Sequence, residues 1–133
     1  MIFLAINFFN QAPGSDDEIH EFCSLTYHTQ FPQMKKSIVN GTDELPLYTY
    51  LKSQIGFQGF PDNEMSKTLE KILPTIDPNY QNTSDIKWNF TKFVIGKDGK
   101  VVKRFEPSED MDHLEECIKS IDCITKKMLI ALI

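Results

Sequence analysis

DIKWNFTKFVIGKDGKVVKRFEP, residues 85–107, is the stretch that decides how this chain folds. Two runs rich in Phe, Val and Ile flank Asp98-Gly99, a dipeptide suited to a tight turn between antiparallel strands, so the segment predicts a β-hairpin. At its entrance stands the only tryptophan of the chain, Trp88, directly followed by Asn89. An indole N–H and an amide N–H are thus set side by side where a strand begins, two neutral donors with no charge of their own.

Outward from the hairpin, helices and strands alternate. MIFLAI, residues 1–6, is a continuous apolar run that reads as a buried strand. Ser15 and Glu18 have capping-box spacing and predict a helix from Asp16, with Ile19, Phe22, Cys23 and Thr26 on one face at helical spacing. KKSIV, residues 35–39, is a short strand closed by Asn40-Gly41, and Thr42 is placed to cap a second helix with Leu45, Tyr48 and Leu51 buried. Residues 56–83 turn to Pro, Gly, Asn and Asp and read as an insertion of weak order. Within them MSKTLEKIL forms a short helix with Met65, Leu69 and Ile72 inward. After the hairpin a last helix runs from about Ser108, with Leu114, Ile118, Ile121 and Met128 on one side.

Length and charge narrow the classes of function. At 133 residues the chain is one α/β domain, 1–133. A net charge of −5, with the basic residues in scattered pairs, argues against nucleic acid as a partner. MIFLAINFF lacks the basic flank and cleavage site of a signal peptide, and MLIALI is too short to span a bilayer, so no membrane association is expected. Three cysteines, Cys23, Cys117 and Cys123, are an odd count without framework spacing, which suits a reducing, cytoplasmic setting. His20 and Cys23 form H-x-x-C on one helical turn, only two ligands where a structural zinc wants four, so neither a metal nor any other cofactor is assigned.

The blocks NQAPGSDDEIHEFC, FPQMKKSIVNG, PLYTYLKSQ, DIKWNFTKF and DGKVVKRFEP, in this order, resemble the glutathione peroxidases from about Asn10 to about Ile121. The resemblance implies a thioredoxin-like fold and reduction of hydroperoxides by a peroxidatic cysteine or selenocysteine. Thioredoxin or glutathione would be the reductant. It also implies that Gln11, Trp88 and Asn89 surround the reacting sulfur, and that Cys23, within EFCSLTY, is a resolving cysteine. The chemistry is consistent with these roles: donors aimed at a thiol favour its anionic form, and a sulfenic acid condenses with a second thiol to a disulfide.

The likeness also implies a gap. In the family the peroxidatic residue lies on a strand-to-helix turn upstream of the Gln11 loop, and none of the three cysteines here takes that position. The family's strand exit F-P-C-N-Q-F-G is FLAINFF here, with Leu4, Ala5 and Phe9 in place of Pro, Cys and Gly. The expectation is therefore an incomplete thioredoxin-like fold, truncated ahead of residue 1. The absent strand would be central, leaving the strand at 1–6 and the hairpin with open edges, and with them marginal stability, aggregation or pairing of MIFLAI with a neighbouring edge. Two functions follow from that expectation: a thiol peroxidase by family, inactive as these 133 residues alone, or a non-catalytic remnant or interaction module. Complementation by a chain that supplies the missing strand and helix is a third.

Overall fold

The computed structural model describes residues 2–5, 13–30, 33–120 and 128–132. The elements are β1 (Ile2–Ala5), α1 (Asp16–Tyr27), β2 (Gln33–Ser37), α2 (Pro46–Gln54), α3 (Glu64–Ile76), β3 (Lys92–Ile95), β4 (Val101–Phe105), α4 (Met111–Ser120) and β5 (Met128–Leu132), with a 3₁₀ turn at Tyr80–Asn82. The five strands form one sheet in the order β2-β1-β5-β3-β4. β1 is parallel to β2 and to β5, whereas β3 is antiparallel to β4 and to β5.

Local chemistry accounts for most element boundaries. The hairpin turns at Asp98-Gly99, where Gly99 has φ +81, a backbone angle that side chains with a Cβ seldom adopt. α1 begins with the capping box: Glu18 N–H donates to Ser15 Oγ (3.2 Å) and Ser15 N–H to Glu18 Oε2 (2.7 Å). The Ser15 backbone N–H, and after it the Ser15 hydroxyl, hold the Glu18 carboxyl below the usual carboxylate range. α3 is capped by Asn63, whose Oδ1 accepts from Ser66 N–H.

Several expectations need correction. α2 starts at Pro46 with Leu45 before it and no side-chain cap, because proline's fixed φ suits a first helical position; Thr42 does not cap it. Tyr48 and Leu51 are buried as expected, while Leu45 is exposed. β2 lies two residues earlier than KKSIV. Residues 64–76, inside the stretch read as an irregular insertion, form a 13-residue helix that buries Leu69 and Leu73, with Met65 outside. No side chain of α1 is buried; on the face of Ile19, Phe22, Cys23 and Thr26, Ile19 and Cys23 are half-buried and Phe22 is 56 % exposed. α4 stops at Ser120, and Met128 belongs to a strand rather than to that helix. Ile121 lies outside the described residues.

The largest correction concerns the centre of the sheet. The inner edges of β1 and β3 were expected to lie open; both are paired, and β5 is the strand between them. An apolar run such as MLIAL has no periodicity that separates helix from strand, so its state is set by the edges available to it.

Among the described residues, three apolar clusters make the core. Val39, Tyr48, Leu51, Ile86, Phe93 and Ile95 form one between α2 and the sheet. Leu69, Leu73 and Tyr80 form a second with Phe57, Phe60 and Trp88 against it. Val94, Phe105 and Leu114 form the third under α4, with Cys117 and Ile118 alongside.

Candidate functional site

Trp88 and Asn89 enter a turn immediately before β3, and the residues around them explain why that turn is held. Upstream, the backbone at 83–87 is gripped from several sides. Asn40 Nδ2 donates to Ile86 O and Ile86 N–H donates to Asn40 Oδ1, both at 2.9 Å. Arg104 donates to Ser84 O (2.6 Å) and Asp85 O (2.9 Å). Lys52, buried, binds Asp85 Oδ1 (2.8 Å), Asn40 Oδ1 (3.2 Å) and Glu44 Oε2. Lys87 Nζ reaches back to Thr83 O (3.0 Å) and Oγ1 (2.6 Å).

Downstream, Thr91 Oγ1 donates to Trp88 O (3.0 Å) and Lys92 Nζ to Phe90 O (2.7 Å). Phe90 sits at φ +65, the left-handed region that costs a residue with a large side chain of order 1 kcal/mol or more. Asn89 is buried at 5 % exposure, and Trp88 is half-buried against the cluster of Leu69, Leu73 and Tyr80. The turn is thus a strained segment held by its surroundings, with its donors set on a rigid frame.

Sequence reading missed the charged residues that build this frame. Burial pushes the Lys87 and Lys92 ammonium groups below the usual lysine range, against the attraction of nearby carboxylates. Glu106 is pushed the other way: burial outweighs the Arg104 guanidinium that donates to its Oε1 at 2.6 Å, and its pKa is raised. Its second oxygen is buried and has no hydrogen-bond partner among the described residues. A cation in an apolar sequence context, as in DIKW and VKRFE, was the available signal; only the tertiary contacts show that these charges are buried.

Strand directions show what else shares the turn's end of the sheet. Lys92 lies opposite Phe105, so β4 ends where β3 begins, and the exit of β4 carries Glu106 there. β1 is antiparallel to β3 through β5, so it too ends at this side. α1 begins here as well, with Asp16 Oδ1 accepting from Lys36 N–H (3.0 Å) near the end of β2. Gln11 lies outside the described residues; the elements that flank it in sequence, β1 and α1, meet at the same end of the sheet as Trp88 and Asn89. Ends of this kind are where α/β sheets present loops to ligands.

Cys23 is placed elsewhere. It is half-buried and free, seven residues into α1 from Asp16, roughly 10 Å along the helix axis away from that end. The close backbone neighbour of α1 is the edge strand β2, and β1 and β5 stand between β2 and β3, about 14 Å at ordinary strand spacing. Trp88 and Asn89 are together; Cys23 is not beside them. His20, its neighbour one turn earlier, lies 3.3 Å from Gln33 Oε1 through Nδ1. Cys117 packs under the sheet with Val94 and Phe105, and Cys123 lies outside the described residues. Phe57 and Phe60 stack edge to face at 4.9 Å in the core, as packing residues.

Comparison with known proteins finds relatives over most of the chain. A family model described as glutathione peroxidase matches residues 1–52. The chain is 37 % identical over 123 residues to the glutathione peroxidase-like peroxiredoxin HYR1 of Saccharomyces cerevisiae, covering 86 % of this chain and 60 % of that protein. It is 39 % identical over 114 residues to a glutathione peroxidase homolog of Neisseria meningitidis, covering 86 % and 63 %. The chain therefore spans about 60 % of the length of the relatives it matches. Among solved structures, the crystal structure of Trgpx in apo form superposes with a TM-score of 0.50 over 90 % of this chain and 78 % of that one; at 23 % identity it speaks for the fold alone, which is thioredoxin-like. These matches support the glutathione peroxidase family over the part of its relatives' length that the chain spans.

Proposed function

We propose that these residues are the donor-bearing part of a thiol peroxidase that reduces hydroperoxides in defence against oxidative stress. Trp88 and Asn89, with Gln11, steady the thiolate of a peroxidatic cysteine. That thiolate attacks the O–O bond; the sulfur becomes a sulfenic acid and the departing alkoxide takes a proton to leave as alcohol. The Cys23 thiol then condenses with the sulfenic acid, releasing water and forming a disulfide. A dithiol such as thioredoxin, or glutathione, reduces that disulfide back to two thiols.

The observation that carries this reading is the Trp88-Asn89 turn: two adjacent neutral donors on a strained backbone, clamped by Asn40 and Arg104 at the sheet end where β1 stops and α1 starts. A reducing, cytoplasmic setting fits the same chemistry. No described helix is long and apolar enough to cross a membrane.

None of Cys23, Cys117 and Cys123 takes the peroxidatic position, so the 133 residues by themselves turn over no peroxide. A second reading, a non-catalytic scaffold or interaction module, is favoured by the packing of Trp88 against Leu69, Leu73 and Tyr80, which gives the indole a core role without any chemistry. The deciding assay follows hydroperoxide-dependent oxidation of thioredoxin. The purified chain is expected to give none. Adding a polypeptide that carries the family's peroxidatic block restores turnover, and Asn89→Ala lowers it about tenfold or more. Turnover by the chain alone would overturn the assignment; failure of Asn89→Ala to lower the restored rate would favour the scaffold.

A further inference from the structure

The strand that follows α4 has an unusual position for its place in the chain. Ala131 lies opposite Ile2 of β1 on one side and opposite Lys92 of β3 on the other. Among the described residues, no strand pairing joins β1 or β2 to β3 or β4 except through β5. The close backbone neighbours of β1 are β2 and β5, and those of β2 are β1 and α1. Among the described residues, the three apolar clusters draw on residues from Val39 to Ile118 and take none from 13–30 or 33–37.

We propose that β5 is a clasp, closed within one chain, that joins two separable units: β1-α1-β2, and a body comprising α2 to α4 with the β3–β4 hairpin. The bonds are unevenly shared. Among the described residues β5 has four register pairs with β3 and two with β1, and the β1 pairing is parallel, the slightly weaker kind. The β1 side therefore opens first. Once released, a two-stranded parallel ribbon with one helix cannot hold together alone, so β2 and α1 lose structure with it while the body keeps its core.

The clasp stands on sheet topology and does not depend on the peroxidase reading; one consequence does. Cys23 belongs to the first unit and the Trp88-Asn89 turn to the body, so clasp opening would be the motion that frees Cys23 from α1 and lets its thiol travel.

Paired cysteines test the position of β5. In a Cys23→Ser, Cys117→Ser, Cys123→Ser background, Ala131→Cys is combined with Ile2→Cys or, separately, with Lys92→Cys. Directly opposed residues on neighbouring strands, about 4.8 Å apart, lie within disulfide reach. Both pairs are expected to form an intramolecular disulfide on mild oxidation of dilute protein. Failure of either pair, or a link between two copies, overturns the clasp.

Hydrogen exchange on the chain with its native cysteines then tests the division. Leu129→Pro, opposite Val94, puts a residue with no backbone N–H inside β5. Amides of Gln33–Ser37 should exchange about tenfold faster or more, while those of α2 and β4 stay within about twofold of the unsubstituted protein. Retained protection in β2, or an equal loss in α2, would show that the two units are not separable and the proposal is wrong.

Discussion

The body from Val39 to Ile118 and the unit from Pro13 to Ser37 are built from similar kinds of residue and end up in opposite conditions. In the body, Tyr48, Leu51 and Phe93 have no exposed surface, and charged residues such as Lys52, Arg104 and Glu106 are buried in bonded networks. In the first unit, α1 has a complete capping box and apolar residues at helical spacing, yet buries none of its side chains; Phe22, Leu25 and Tyr27 are each more than half exposed. Good local signals form a helix. They do not supply the opposing surface that turns an amphipathic face into core.

Equivalent truncations in the two regions should break or confirm this contrast. Phe105→Ala, in the body, is expected to cost about 3–5 kcal/mol in denaturant unfolding, since it empties a site only 1 % exposed between Val94 and Leu114. Asn40→Ala leaves Ile86 N–H and C=O without their side-chain partner and should cost about 2 kcal/mol. It should also shift the emission of Trp88, a clean reporter because it is the only tryptophan. Ser15→Ala removes the α1 cap, worth about 1 kcal/mol to that helix. Exchange at α1 amides should rise while the body's midpoint hardly moves; an equal shift in both would mean that the two regions unfold as one.

The pH dependence of the body should carry the signature of Glu106. Its pKa in the folded protein is raised above the ordinary 4.5, so the unfolded chain gives up this proton first. The contribution is fully present below the unfolded pKa and is lost as pH rises through the folded one, so this group makes stability fall across that interval. Glu106→Gln should flatten that part of the melting-temperature profile, and an unchanged slope would remove Glu106 as its source. The smallest effect belongs to Phe22→Ala on the exposed face of α1, within about 0.5 kcal/mol of zero in the same unfolding assay that reads Phe105→Ala.

How much of this was legible beforehand depended on the range of the interactions involved. Ser15 with Glu18 and the Asp98-Gly99 turn are decided within a few residues, and both appear where their spacing placed them. Trp88 beside Asn89 is a covalent fact; that the pair stands on a clamped turn is not, because Asn40 and Arg104 reach it from 46 and 19 residues away. The start of α2 went to Pro46 rather than to a Thr42 cap, a local choice between two valid helix starts. Met128 was read as helical because its spacing from Leu114 and Ile118 allowed it.

The sequence by itself determined the hairpin, the capped first helix, the buried stripe of Tyr48 and Leu51 and the adjacency of the two donors, since each follows from turn chemistry or periodicity over one or two turns of chain. Only the tertiary structure decided that MLIAL is a strand, that it lies between β1 and β3, and that α1 buries none of its side chains fully. The physical reason is that an unpaired backbone edge can be satisfied only by another strand, and which apolar segment supplies it depends on the geometry of the whole sheet rather than on its own sequence.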